Sequence, residues 1–152
     1  MKSMKTIRQT SFKFRRILVP VDFSDHSRQA LRAAIALARQ FGSSLAVVHV
    51  TRRNRPDSHA VAELAGMTFD PRPDGRTRLA QFVEREAPDN FKPKRMVVDG
   101  VPHVEIAKSA TAWKADLIVI STHGYTGLKQ VLMGSTAERV VRHAPCPVLV
   151  VR

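Results

Sequence analysis

Several features that would class a protein at sight are scarce or missing here. Cys146 is the single cysteine in 152 residues. One thiol closes no internal disulfide, so a cystine-stapled scaffold is excluded, and the count suits a reducing compartment; a cytoplasmic location is expected. The apolar runs, such as LIVI at 117–120 and PVLVV at 147–151, fall far short of the about 20 residues a membrane-spanning helix needs. The first residues contain no continuous apolar segment, so no secretory signal is expected. Aromatic side chains make up only 6%, and no aromatic-interleaved RNA motif or zinc-finger spacing occurs. The six histidines (26, 49, 59, 103, 123 and 143) form no HxH or HxxxH pair, so no metal centre is expected.

Acidic residues are also scarce. Twenty-five Lys and Arg face thirteen Asp and Glu, for a net charge of +12. The excess is uneven. Lys2, Lys5, Arg8, Lys13, Arg15 and Arg16 crowd the first sixteen residues, which carry no acid. Half of the net charge therefore sits at one end. We read residues 1–14 as a basic, solvated tail and 15–152 as one domain, large enough to bury most of its chain surface. A basic tail can meet anionic partners, but no long amphipathic basic helix supports nucleic acid or membrane as the partner.

From Arg15 onward two periodicities alternate. RRILVPVDF (15–23), SLAVVHV (44–50), KRMVV (94–98), DLIVIS (116–121) and PVLVV (147–151) read as strands rich in Val, Ile and Leu. Between them lie helical patterns. Residues 24–42 repeat Leu31, Ala34, Ile35, Ala38 and Phe41, with Ser24 placed to cap the start and Gly42 to end it. Residues 76–87 turn Leu79, Phe82 and Val83 inward. Residues 103–115 follow Gly100 and Pro102, and bring Ile106, Ala107, Ala110 and Trp113 near one face, where Trp113 is a core residue rather than a stacking platform. Residues 134–143 form the last helix. Residues 51–75, with three prolines and four arginines, read as an exposed loop with room for a helical turn at 58–66. Near-continuous apolar strands alternating with helices predict an open α/β sheet, mostly parallel and covered on both faces.

Two places could carry chemistry. The first is STHGYTGLKQVLMGST, Ser121–Thr136, between the fourth strand and the last helix. A helix start offers unpaired N–H groups and the positive end of the helix dipole, and glycine lets backbone approach an anion closely. Gly134, Ser135 and Thr136 stand at that start, and Gly124 just past the strand. The stretch is not a Walker A loop, because no lysine follows Gly134. The dinucleotide fingerprint is absent too, since VDFSDHS, the first strand-to-helix turn, has no glycine. The second place is Asp22, at the carboxyl end of the first strand. As a turn residue it would bond local backbone; as a ligand it would take ribose hydroxyls. If the strand order is 3-2-1-4-5, the reversal falls between strands one and four, and both places face one crevice. Cys146, between two prolines, has no partner that would make it a nucleophile.

These segments resemble the universal stress protein family. RRILVPVDFSDHSRQALRAAIALARQFGSSLAVVHV, DGVPHVEIAKSA, ADLIVISTHGYTG and LMGSTAERVVRHAPCPVLVVR carry the likeness, in order, over residues 14–152. The resemblance implies an open five-stranded parallel sheet in the order 3-2-1-4-5 with four main helices. In nucleotide-binding members the ATP signature is Gly, two residues, Gly, nine residues, Gly, then Ser or Thr. Gly124, the nine residues 125–133, and Gly134-Ser135 match it; Ser121 stands where the first glycine would be, and Gly127 is no part of it. The resemblance further implies that Pro20, Val21 and Asp22 line a nucleoside pocket, with Asp22 on the ribose. Val50 would meet adenine through its backbone. Thr122, His123 and Gly124 would run along ribose and phosphates, and Ser135 and Thr136 would bind phosphate, with Mg²⁺ on the phosphates. What Ser121 does there turns on its backbone. With φ > 0 a serine costs roughly 1–2 kcal/mol; with φ < 0 it costs little and adds a hydroxyl.

The expected function is thus a stress-response regulator that binds ATP with little or no turnover. The alternative is a protein-interaction module of the same fold that binds no nucleotide. A regulatory protein partner fits either. Family members commonly dimerise through the last strand, so a homodimer through 147–151 is expected.

Overall fold

The computed structural model describes residues 13–51, 74–122 and 133–152. The expected tail up to residue 12, the helical turn at 58–66, and His123, Gly124 and Gly127 lie outside the described residues. Five strands, β1 (Arg16–Pro20), β2 (Ser44–Thr51), β3 (Lys94–Asp99), β4 (Leu117–Ser121) and β5 (Val148–Val151), form one sheet in the order β3-β2-β1-β4-β5. Every adjacent pair is parallel. Four helices alternate with them: α1 (Asp25–Phe41), α2 (Gly75–Glu86), α3 (Pro102–Trp113) and α4 (Ser135–His143). The architecture is the doubly wound α/β sheet that the alternation predicts.

Strand parity explains the layers. Successive side chains point to opposite faces. Ile17, Val19 and Val21 of the first strand segment join Leu45, Val47, Leu117 and Val119 on one face, under the Ala30–Ala38 stripe of α1 and Leu79, Phe82 and Val83 of α2. Leu18, Ala46, Val48, Ile118 and Ile120 point the other way, against Ile106 and Ala110 of α3 and Ala137 and Val140 of α4. Two cores result, and β1 and β4 are buried on both sides. Trp113 packs against the second core, as its spacing predicts.

The helix ends have local causes. Ser24 accepts a bond from Ser27 N at 3.1 Å and so caps α1. Gly42, at φ 66, closes α1 with its N–H on Ala38 O. Asp74 accepts from Thr77 N at 2.8 Å to start α2. Asp116 ties two strands together: its carboxylate accepts from Arg15 N at 2.7 Å and Arg16 N at 3.0 Å, just before β4 begins. Phe14, the last residue assigned to the tail, already meets the fold. Its carbonyl accepts from Ser43 Oγ at 2.6 Å, and its ring meets Phe41 edge-on at 5.8 Å.

Two boundaries differ from the sequence reading by more than one residue. The first strand ends at Pro20, not 23, because Phe23 takes a left-handed conformation at φ 67. The third helix ends at Trp113, not 115, because Lys114 is left-handed at φ 56 and sends its N–H to Ala110 O.

Candidate functional site

The chain leaves β1 toward β2 on one side, while β4 leads to β5 on the other, so a crevice opens beyond the carboxyl ends of β1 and β4. Pro20 and Val21 are buried at its floor. Val21 N makes the last bond to β2, on Val48 O at 2.9 Å. Asp22 then turns out of the sheet. Its Oδ1 accepts from Ser24 N at 3.0 Å and Ser24 Oγ at 2.5 Å, which fixes the carboxylate at the crevice mouth. Val50 lies near the end of β2. Val48 O faces β1, and Thr51 O accepts from Gly100 N on the β3 side. Backbone groups alternate between the two edges of a strand, so those of Val50 turn to the β1 edge, past the last pair Pro20↔Val48.

The β4 side is equally defined. Ser121 is the last residue of β4, paired with Val151 and only 9% exposed. The non-glycine residues with positive φ among those described are Phe23 and Lys114, so Ser121 is ordinary strand backbone. The steric objection to a serine here therefore disappears. Thr122, also buried, donates its N–H to Val151 O at 2.9 Å and accepts from Gly134 N at 2.5 Å. That second bond closes the neck of the 122–134 segment and places Gly134 beside the end of β4. Gly134 is the N-cap of α4 at φ −66, ψ 149. It is not left-handed, so no positive φ requires a glycine there. Ser135 and Thr136 form the first turn of α4, where amides have no intrahelical acceptor. Among the described residues no side chain caps this helix. Of the eleven positions read from the sequence, the structure gathers Pro20, Val21, Asp22, Val50, Ser121, Thr122, Gly134, Ser135 and Thr136 along the carboxyl edge of β1, β2 and β4; His123 and Gly124 lie outside the described residues.

One part of this edge escaped the sequence reading. A cavity of about 440 Å³ is lined by Gly100, Val101, Pro102 and His103 at the start of α3, and by Ser135, Thr136 and Arg139 of α4. It adjoins the crevice through Ser135 and Thr136, but Asp22 and Val50 do not line it. The available signal was Gly100-Val101-Pro102 itself. It is the turn after the third strand, on the same edge, and the sequence reading assigned it only a turn. Gly100 needs to be glycine, since its φ is 145 and a Cβ would stand 2.8 Å from Glu105 Cγ.

A packed cluster backs the Asp22 turn. His49 Nδ1 bonds Val21 O at 2.9 Å, so the neutral ring carries its proton on Nδ1. The ring lies 4.2 Å from that of Phe23, which meets Phe82 edge-on at 5.5 Å and carries the Arg78 guanidinium 4.4 Å above it. Burial lowers the His49 pKa, with Arg78 pushing the same way; the Val21 carbonyl and Asp22 act against them. Cys146 is half-buried and unpaired, and burial pushes its thiol up, away from nucleophilic use. Among the described residues no group of three His, Cys, Asp or Glu could hold a metal, and no helix is long and apolar enough to cross a membrane.

Together these features define a doubly wound α/β domain with a crevice at its switch point. The chain belongs to the universal stress protein family: the model described by that name matches residues 13–152, and the family places the protein among stress-response proteins. It is 33% identical to universal stress protein MJ0531 of Methanocaldococcus jannaschii, over 96% of this chain and 86% of that one. The structure of UspA from Lactobacillus plantarum superposes with a TM-score of 0.70 at 30% identity, covering 93% of this chain and all of the other. A universal stress protein solved in complex with cAMP has a TM-score of 0.71 at 24% identity, covering 93% and 99%.

Proposed function

We propose that the protein binds ATP at the carboxyl ends of β1 and β4 and acts as a nucleotide-dependent regulator, with little or no turnover. The observation that supports this is that Asp22 follows β1 and the start of α4 is tied to the end of β4, at the carboxyl edge of two neighbouring strands. The residues suit such a ligand. Asp22 takes the ribose hydroxyls, its orientation fixed by Ser24. Val50 meets adenine with its backbone. Ser121, Thr122, His123 and Gly124 run along ribose and phosphates. Gly134, Ser135 and Thr136 hold phosphate through helix-start amides and hydroxyls. Mg²⁺, bound to the phosphates, offsets part of their charge. Asp22 is assigned to the ribose rather than to a water, which is why turnover should be slight. The complex of a relative with cAMP shows that this fold holds an adenine nucleotide in that protein. We place the protein in the cytoplasm as a homodimer through β5, where Leu149 is 41% exposed on the last strand of the sheet. The rival reading, an interaction module that binds no nucleotide, draws no support from Ser121 as a strand residue outside the left-handed region.

Isothermal titration with MgATP tests the proposal. Saturable heat at sub-millimolar ATP that survives added salt is expected; the salt matters because a +12 chain retains anions non-specifically. No heat at millimolar MgATP, and no nucleotide extracted from the purified protein, would end the ATP reading. A Gly134→Val variant that binds ATP normally would end the site assignment.

A further inference from the structure

The cavity beside the crevice has one wall that carries charge. Arg139 lies three and four residues after Thr136 and Ser135, so all three share a face of α4. All three line the cavity. Among the described residues the Arg139 guanidinium has no ion pair, whereas its neighbours Glu138 and Arg142 hold each other at 2.9 Å. The opposite wall is the Gly100–Val101–Pro102 turn and His103. Among the described residues the starts of both α3 and α4 reach this space without a side-chain cap, while Ser24 and Asp74 cap α1 and α2. One carboxylate is close: Glu105 folds over Gly100, and Lys108 Nζ holds it at 2.8 Å. At about 440 Å³ the cavity falls within the range of small-molecule pockets.

We propose that this cavity receives the distal phosphates of the bound nucleotide, and that Arg139 makes the protein prefer a triphosphate to a monophosphate. The inference rests on the adenine-nucleotide reading above. Its logic is one of reach. A monophosphate on the ribose side extends to Ser135 and Thr136, where crevice and cavity meet. A triphosphate continues past them into the space that Arg139 faces. There the planar guanidinium can donate two parallel bonds to phosphate oxygens, a geometry that a lysine ammonium does not reproduce. Loss of such charge-assisted bonds weakens binding on the order of tenfold to hundredfold.

The test is titration of the full chain with ATP and with AMP, at about 0.15 M and about 0.5 M salt, for the natural protein, Arg139→Gln and Arg139→Lys. The natural protein should prefer ATP by tenfold or more. Arg139→Gln should bring the ATP-to-AMP ratio of affinities close to one, and Arg139→Lys should fall between. Arg139 is exposed, so an unchanged urea midpoint is expected to accompany the change. If Arg139→Gln leaves the ratio intact, or if the natural protein binds AMP as tightly as ATP, the tail subsite is refuted while the nucleotide reading stands. If the natural protein binds neither nucleotide, both fall.

Discussion

Replacing Ser121 by glycine restores the first glycine of the ATP signature, and structure and motif disagree about the result. If the signature glycine served a left-handed backbone, the serine would be strained by roughly 1–2 kcal/mol. Strain already present in the free protein would appear as lost stability. Strain imposed when ligand binds would appear as affinity weakened roughly five- to thirtyfold. Glycine would recover one or the other. The structure argues against both. Ser121 ends β4, pairs with Val151, is 9% exposed, and is absent from the positive-φ residues. Glycine within a strand loses more backbone entropy on folding, costing about 0.5–1 kcal/mol. For a chain of this size that lowers Tm by about 1–4 °C. Ser121→Gly should therefore melt slightly lower and bind MgATP no tighter than the natural protein. Calorimetric melting and titration on the same preparation read both quantities. A fivefold gain in affinity, or a higher Tm, would refute the backbone argument and return Ser121 to the status of a defect.

Three other perturbations test separate parts of the molecule. Gly100→Ala forces a Cβ to within 2.8 Å of Glu105 Cγ at φ 145, so a loss of about 1–3 kcal/mol in urea unfolding is expected; Glu105→Ala in the same chain should recover only the part due to the clash, and a Gly100→Ala protein as stable as the natural one would count against the turn geometry. His49 has a folded pKa below its unfolded value, chiefly through burial. The unfolded chain therefore binds more protons in that window, and the stability contributed by neutral His49 is complete above pH about 6.5 and declines as pH falls toward the folded pKa. His49→Gln should flatten the acid limb of stability measured from pH about 8 to 5, and an unchanged pH slope would remove His49 from that role. Leu149→Lys places a charge on the exposed side of β5; light scattering at micromolar concentration should shift from dimer to monomer with ATP binding retained, and a natural protein that is already monomeric would dismiss the β5 interface.

The sheet was legible because burial on both faces demands continuous apolar strands, and RILVP and LIVIS supply them. The first helix was legible because Ser24 and Gly42 mark its ends by local chemistry. The misplaced boundaries share one cause. Phe23 and Lys114 adopt left-handed backbone without being glycine or asparagine, and nothing local announces that. Phe23 is held there by contacts from elsewhere: His49 on β2, and Phe82 and Arg78 on α2. Its position costs roughly 1–2 kcal/mol, which that stack offsets. The turn it completes is the one that aims Asp22 into the crevice.

The site divides along the same line. Asp22, Ser135 and Thr136 could be nominated from sequence because strand ends and helix starts have chemical signatures. Arg139 and the Gly100–His103 turn could not, because their meaning depends on α3 packing against α4, elements separated by β4 and the Thr122–Gly134 segment. The uncapped starts of those two helices look like omissions when each is read alone, since Val101 and Gly134 offer no side-chain acceptor. Side by side across one cavity, the first-turn amides of α4 and the His103 amide of α3, whose Pro102 has no N–H and whose Val104 N bonds Val101 O, lie next to a guanidinium without an ion pair among the described residues. An acidic cap at either start would satisfy the helix and repel the anion. Val101→Asp should therefore stabilise α3 by about 0.5–1 kcal/mol as an N-cap and, at the same time, weaken ATP more than AMP. If it stabilises the fold and leaves the ATP-to-AMP ratio untouched, the bare helix starts are not there for a phosphate tail.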